Sequence, residues 1–265
     1  MRLALALLIL LAGPASAEPR LPSDCIALAQ NTPGVIPVRY APPADQQVLI
    51  RYLDHAEFAI ATSHLLAVTD YRGPIGNPAI VPDIVTMNNA HETHYTDHPD
   101  PRIPLILRGW PMDGKPAAFD LDLGEMRIRN VTTDLRGPFG EGARQNGNSI
   151  FIFEAAGLCI GHLSHLHQIP SAAQYAAIGR LDVVMVPVDG AFTMDVADMA
   201  DVVRHIHPRI VIPMHWFTPE GLANFLVQVN HDFVITVPET SEILVSRATL
   251  PERPTVIVLQ PTLFP

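Results

Sequence analysis

Seven of the chain's twelve histidines stand at the ends of three apolar segments, where strands of a sheet would carry them to a common edge. A β-branched segment ending at Met87 is followed by His91, His94 and His98 within eight residues. The run 149–160 is followed by Gly161-His162-Leu163-Ser164-His165-Leu166-His167, and the run 209–214 by His215. Neutral imidazole is the commonest protein ligand for zinc and also suits iron, copper and nickel. A single cluster of this kind also describes a solvated histidine-rich loop that binds nothing; three strand ends sharing the feature point to a metal centre. The chemistry this implies is hydrolytic, with metal-bound hydroxide attacking a carbonyl or phosphoryl centre.

The elements that must position these residues change character along the chain. From 35 to 159 the apolar segments are short, rich in Val and Ile, and separated by Pro, Gly and Asn, which is strand chemistry. Strands are expected at 48–53, 58–62, 65–70, 84–87, 104–108, 119–123, 126–132 and 149–154, with Asn146-Gly147 a tight-turn signal before the last. Segments 74–81 and 134–147 read as long loops and so as candidate walls of a substrate cleft. Beyond 160, helical patterns alternate with strands. Helices are expected at 171–178, opened by a Ser cap, at 194–207, where Val196, Met199, Ala200, Val203 and Ile206 form one stripe, and at 218–229. Runs 181–188 and 209–214, apolar throughout, read as strands covered on both faces, and 233–259 returns to strand signals. A β-rich half followed by β-α units implies an α+β sandwich of sheets flanked by helices.

The chain opens with Arg2, an apolar run over 3–12 and Ala15-Ser16-Ala17, the layout of a secretory signal peptide cleaved after Ala17. The expected organisation is a signal peptide over 1–17 and one domain over 18–265, in a periplasm or outside the cell. No later run approaches the ~18 apolar residues of a membrane span. Seventeen basic against 27 acidic side chains, a formal net charge of −10, argue against nucleic acid and anionic membrane surfaces as partners. The expected partner is a small-molecule or lipid-like substrate. The two cysteines, Cys25 and Cys159, either form a disulfide, as an oxidising compartment permits, or leave Cys159 as a small buried hydrophobe.

On Asn89-Ala90-His91-Glu92-Thr93-His94, Gly161-His162-Leu163-Ser164-His165 and Ile212-Pro213-Met214-His215, in that order, the chain resembles the metallo-β-lactamase-fold hydrolases over 55–215. Within them it is similar to the group related to L-ascorbate-6-phosphate lactonase. The resemblance implies an αββα sandwich with one or two ions, usually zinc or manganese, at the sheet edge. It carries ligand roles to His91, His94, His162 and His215. The family's first motif, H-x-H-x-D-H, is altered here, with Asn89 for the first His and Thr93 for the Asp. A shifted register, His94-Tyr95-Thr96-Asp97-His98, restores an Asp-His pair but leaves the strand end, so the ungapped register is adopted. His165 stands where most relatives carry a bridging aspartate.

The candidate metal ligands are therefore His91, His94, His162, His165 and His215. This largely neutral set suits a single ion, zinc or alternatively manganese or iron, better than a pair. Asp189 is a candidate compensating carboxylate, or a turn aspartate before Gly190; Asp70 is a candidate support for a ligand histidine, or simply a strand end. Asp97 and Asp189 are the candidate catalytic bases, with Glu92 a third. His98, His167 and the Arg108-Gly109-Trp110 turn are candidate substrate contacts or ordinary loop residues. The expected function is a secreted metal-dependent hydrolase of an ester, lactone, amide or phosphodiester. The altered motif keeps a second class open, a non-catalytic periplasmic ligand- or metal-binding protein on the same scaffold.

Overall fold

The computed structural model describes residues 25–26, 46–73, 75–136 and 143–262, so the expected leader lies outside the described residues. The first half runs β1 (Val48–Asp54), β2 (Glu57–Ala61), β3 (Leu66–Val68), β4 (Ile84–Met87), β5 (Leu105–Arg108), β6 (Asp120–Asp122), β7 (Met126–Arg136), β8 (Ala143–Ala155) and β9 (Leu158–His162). Then follow α1 (Ala172–Ile178), β10 (Val183–Pro187), α2 (Val196–Ile206), β11 (Ile210–Met214), α3 (Pro219–Val229), β12 (Val234–Thr236), β13 (Glu242–Val245) and β14 (Thr255–Ile257). They build two mixed sheets, ordered β13-β1-β2-β3-β4-β5 and β12-β14-β11-β10-β9-β8-β7-β6.

The sandwich follows from which faces are apolar. Val48, Ile50 and Tyr52 of β1 meet Ile128, Phe151, Phe153, Met185 and Ile212 of the larger sheet in the core between the sheets. Strands β9, β10 and β11 are buried at every position because their other face is covered too. There Ile178 of α1, Met199 and Val203 of α2, and Phe225 and Val229 of α3 pack against Val184, Val186 and Val211. The smaller sheet's outer face carries Val68, Tyr71, Val85, Met87 and Ile103. Among the described residues the three helices lie on the larger sheet, and loops carry the outer face of the smaller one. Pro78, Pro82, Pro99, Pro101 and Pro104 punctuate those connections and exclude helix interiors from them.

Two expectations are corrected. Segment 134–147 is mostly strand: β7 and β8 extend to Arg136 and Ala143, and Asn146-Gly147 makes no hairpin turn. Asn146, at φ 55°, instead lies opposite the register shift between Thr133 and Leu135, where a left-handed residue absorbs the irregularity of a bulge. The turn lies at Ala156-Gly157, φ 51° and 69°, and splits the run 149–160 into β8 and β9.

Cys25 and Cys159 form a disulfide across 134 residues of sequence, which resolves the cysteine alternatives. Closing a loop of that length restricts the unfolded chain by roughly 5 kcal/mol in the chain-entropy account. Gly179, at φ 72°, lets the backbone pass so close to the Cys25 carbonyl that any Cβ would collide with it.

Candidate metal centre

Strands β4, β9, β10 and β11 all end at one edge of the sandwich, and each releases part of the site. After β4, His94 N donates to His91 O at 2.9 Å, a tight turn that turns two imidazoles toward each other, with ring centroids 4.5 Å apart. After β9, Ser164 adopts φ 49° and His165 N is caught by Asn148 Oδ1 at 3.1 Å, which swings the His165 ring out of the strand's alternation. After β11, His215 adopts φ 57° and its N–H donates to His55 O at 2.7 Å. That bond ties the end of β11 to the β1–β2 turn, where His55 sits at φ 44°. His55, Asp70, Ser164 and His215 are four of the chain's eight described non-glycine residues with positive φ. Such backbone costs about 1–2 kcal/mol per residue and gathers where function requires it.

The ligand nitrogens of His55, His91, His94 and His215 lie within 4.8 Å of one another. His165 joins through Nε2, 3.1 Å from His91 Nε2, while His94 and His215 face each other Nε2 to Nε2 at 3.2 Å. Two nitrogens on one tetrahedral zinc, each at about 2.0–2.1 Å, stand roughly 3.3–3.4 Å apart, close to both distances. The buried Nε2 of His55 has no hydrogen-bond partner. A donor set this dense, with an orphaned nitrogen aimed among the others, fits a metal ion.

The far side of three of the rings meets an oxygen. His94 Nδ1 lies 2.5 Å from Asp70 Oδ2, and Asp70 also accepts from Ser164 Oγ at 2.7 Å and Asn88 Nδ2 at 3.0 Å. His215 Nδ1 lies 3.1 Å from Asp189 Oδ1, an ion contact rather than an aligned hydrogen bond. Thr93 Oγ1 meets His91 Nδ1 at 2.8 Å. Backing Nδ1 with an oxygen leaves Nε2 as the lone-pair nitrogen presented to a metal. Asn88 also clamps the two sheets, accepting from Ser149 N at 2.7 Å, and Gly109 is needed there because a Cβ would lie 2.7 Å from Asn88 Oδ1.

Burial sets the charge state. It holds His55 down at about 2, with repulsion from His215, His94 and His91 adding to it. Burial likewise lowers His91, and pushes His94 and His165 well below the ordinary histidine value. These imidazoles are therefore neutral, as ligands must be. Burial raises the Asp70 carboxyl, against the pull of His162, Ser164 and Asn88. At Asp189 burial acts upward, but the contact with His215 and the donors of Thr193 and Ala191 outweigh it and hold the carboxyl below its usual range.

Several candidate residues are placed elsewhere or in other roles. His162 still lies in β9, paired with Phe151 and Met185, so strand alternation turns it into the core between the sheets. Its Nε2 meets Ala56 O at 2.8 Å, and it reaches Asp70 only electrostatically. Asp97 is exposed and outside the gathered groups, which removes it as a base; Glu92 is exposed as well. Asp189, expected as a base or compensating carboxylate, has both oxygens engaged by the protein. Its Oδ2 accepts from the backbone of Ala191, Phe192 and Thr193, and its other oxygen from Thr193 Oγ1, beside His215. His98 lines a cavity of about 430 Å³ with Tyr71, Ile75, Asn77, Pro78 and Asp100, and none of the clustered histidines lines it. His167 borders the site, its ring 4.7 Å from that of His165. Arg108 follows Leu107, which faces the inter-sheet core, so alternation points the arginine to the outer face. His55 is not among the candidates the sequence offers, since a lone histidine in a turn carries no spacing signal.

The model of the β-lactamase superfamily domain matches residues 49–215. The chain belongs to that family. A metal-dependent hydrolase of Thermococcus kodakarensis is 25% identical over 226 residues, 75% of this chain and 96% of its own length. A protein of Pyrococcus furiosus is 30% identical over 105 residues, but this match spans only 42% of the relative and 37% of this chain. Among solved structures, a protein of Thermotoga maritima assigned as a zinc-dependent hydrolase of the metallo-β-lactamase superfamily superposes with a TM-score of 0.57. It is 24% identical, and the match covers 80% of this chain and 98% of that one. Fold and relatives make this chain a metal-dependent hydrolase of the metallo-β-lactamase superfamily.

Proposed function

We propose that this hydrolase is exported and works with a single metal ion, held by His91, His94, His165 and His215 with His55 beside them, on an uncharged ester or lactone. The observation that carries the reading is the convergence of four Nε2 atoms in pairs at 3.1 and 3.2 Å. Charge supports one ion rather than two. Burial keeps His55, His91, His94 and His165 neutral, and the two buried carboxylates behind the cluster, Asp70 and Asp189, match one dication; a second would leave two positive charges uncompensated in a dry site. An ion held there supplies Lewis acidity and makes water acidic enough to act as a nucleophile near neutral pH. The donor set suits zinc, with iron and manganese as alternatives.

The chain's own residues orient the ligands rather than move protons. Asp70 and Asp189 are saturated with donors, so among the described residues no free carboxylate stands at the cluster. A positioned base is worth about 10²–10⁴ in rate, and turnover should be correspondingly modest. That same feature favours the alternative, a metal- or ligand-binding protein without turnover. The resemblance to the L-ascorbate-6-phosphate lactonase group supports a lactone or ester substrate, whereas a phosphate handle finds little support. Of the nearby guanidinium groups, Arg136 donates to the carbonyls of Ala191, Phe192 and Thr193 and Arg144 to Asn89 O, and none of these bonds runs to a clustered histidine. Export is supported by the Ala17 cleavage signal and by the disulfide. No helix among the described residues is long and apolar enough to cross a membrane.

The test is elemental analysis of the full chain exported to a periplasm, with His165→Ala and His162→Ala variants and an ester and lactone screen. One ion per chain, lost in His165→Ala and kept in His162→Ala, with hydrolysis following the metal, is expected. Two ions per chain would defeat the single-ion reading, and a metal without turnover on any substrate would leave the binding protein.

A further inference from the structure

Two phenylalanines at the mouth of the histidine cluster are 62% and 55% exposed, Phe192 and Phe217. Their rings touch, with centroids 5.5 Å apart, and Phe217 lies 5.3 Å from the rings of both His55 and His215. Leaving a phenylalanine in water forgoes about 1.5–3 kcal/mol of burial, so such a pair calls for an occupant.

The Phe192 turn is not a frayed loop. Its backbone N–H and those of Ala191 and Thr193 are all held by Asp189 Oδ2. From the other side, Phe192 O accepts from Arg136 at 3.3 Å and meets His167 Nε2 at 2.6 Å. His167 Nδ1 accepts from Arg136 N at 3.4 Å, which leaves its Nε2–H to donate to Phe192 O. Asp189 thus braces His215 and the phenylalanine turn with the same carboxylate, and His167 links that turn to His165. A ring presented on backbone this firmly fixed is a preorganised wall.

We infer that Phe192 and Phe217 form an apolar specificity subsite that grips the hydrocarbon chain or ring of the substrate beside the metal-bound reacting group. The inference rests on the proposed hydrolase site and adds its substrate class, neutral esters or lactones with an apolar substituent of several carbons. The occupant follows from continuity with the cluster, since any group held by the five histidines is flanked by Phe217.

The experiment uses binding so that it does not depend on turnover. Acetohydroxamate and octanohydroxamate carry the same metal-binding group and differ by six methylenes. Each is titrated calorimetrically into the zinc-loaded full chain, its Phe192→Ala/Phe217→Ala variant and a Val227→Ala control. A fully buried methylene is worth about fourfold in affinity. Wild type and control should prefer the octanoyl compound by about tenfold or more, and the double variant by less than about threefold at unchanged zinc content. An equal preference in all three proteins, or none in wild type, overturns the subsite. A variant that changes from dimer to monomer in sedimentation while keeping the preference overturns it in favour of a contact between copies. A preserved preference effect with no ester or lactone turnover would refute the hydrolase reading alone.

Discussion

Replacing Asp70 by Asn should move a proton onto the wrong nitrogen of His94. Asp70 Oδ1 accepts from Asn88 Nδ2 at 3.0 Å, while Oδ2 takes His94 Nδ1 at 2.5 Å and Ser164 Oγ at 2.7 Å. An asparagine has one acceptor oxygen for these three donors. Setting its NH₂ toward Asn88 would oppose two donors, so the amide turns its oxygen to Asn88 and its NH₂ to His94. Ser164 can rotate to accept; His94 can accept only by becoming the Nε2–H tautomer, whose proton points at the metal position. Loss of such a backing group costs about 10–100-fold in metal affinity, or roughly 1.4–2.7 kcal/mol. Zinc competition against a chelator of known affinity measures it, and urea unfolding of the metal-free protein checks that the fold survives. Zinc affinity within threefold of wild type, in a variant that unfolds like the parent, would refute the tautomer argument.

The two histidines of the second cluster should separate cleanly. His165→Ala is expected to lose zinc at stoichiometric concentration, whereas His162→Ala should retain it and lose about 1–3 kcal/mol of stability through its broken bond to Ala56 O; elemental analysis and urea unfolding distinguish them. Gly109→Ala should destabilise by about 1–3 kcal/mol, because the new Cβ falls 2.7 Å from Asn88 Oδ1 and 2.8 Å from Ser149 Cβ in the inter-sheet clamp; an unchanged urea midpoint would count against that clamp. Replacing both Cys25 and Cys159 by Ser should cost about 2–5 kcal/mol, read as the difference in urea unfolding from the oxidised parent. For pH, His55 and His167 have folded values lowered to about 2 and about 4, so below the ordinary value of ~6.5 the unfolded chain binds more protons. Stability of the metal-free protein should be greatest above that pH and fall as acid is added through the window from ~6.5 toward 4; a flat profile there would contradict the burial of these rings.

Much of this protein is decided by local pattern. Alternation and apolar runs placed β1, β2, β4, β5, β10, β11 and the three helices within a residue or two of where they stand, because each pattern reports the face a short segment must bury. The three histidine groups also stand at one edge as expected, since parallel strands deliver their C-terminal ends together. Which imidazoles meet was decided by tertiary structure. His162 and His165 are three apart in sequence, yet strand alternation buries the first in the core and the left-handed Ser164 turns the second outward. His55 enters the cluster only through its carbonyl bond to His215, 160 positions later. The sequence offers Asp189 as a base, and its neighbours in sequence do not reveal that its oxygens are engaged by the following turn and His215. Sequence periodicity records which way a side chain faces relative to its own strand; the closing of two sheets on each other determines what it faces.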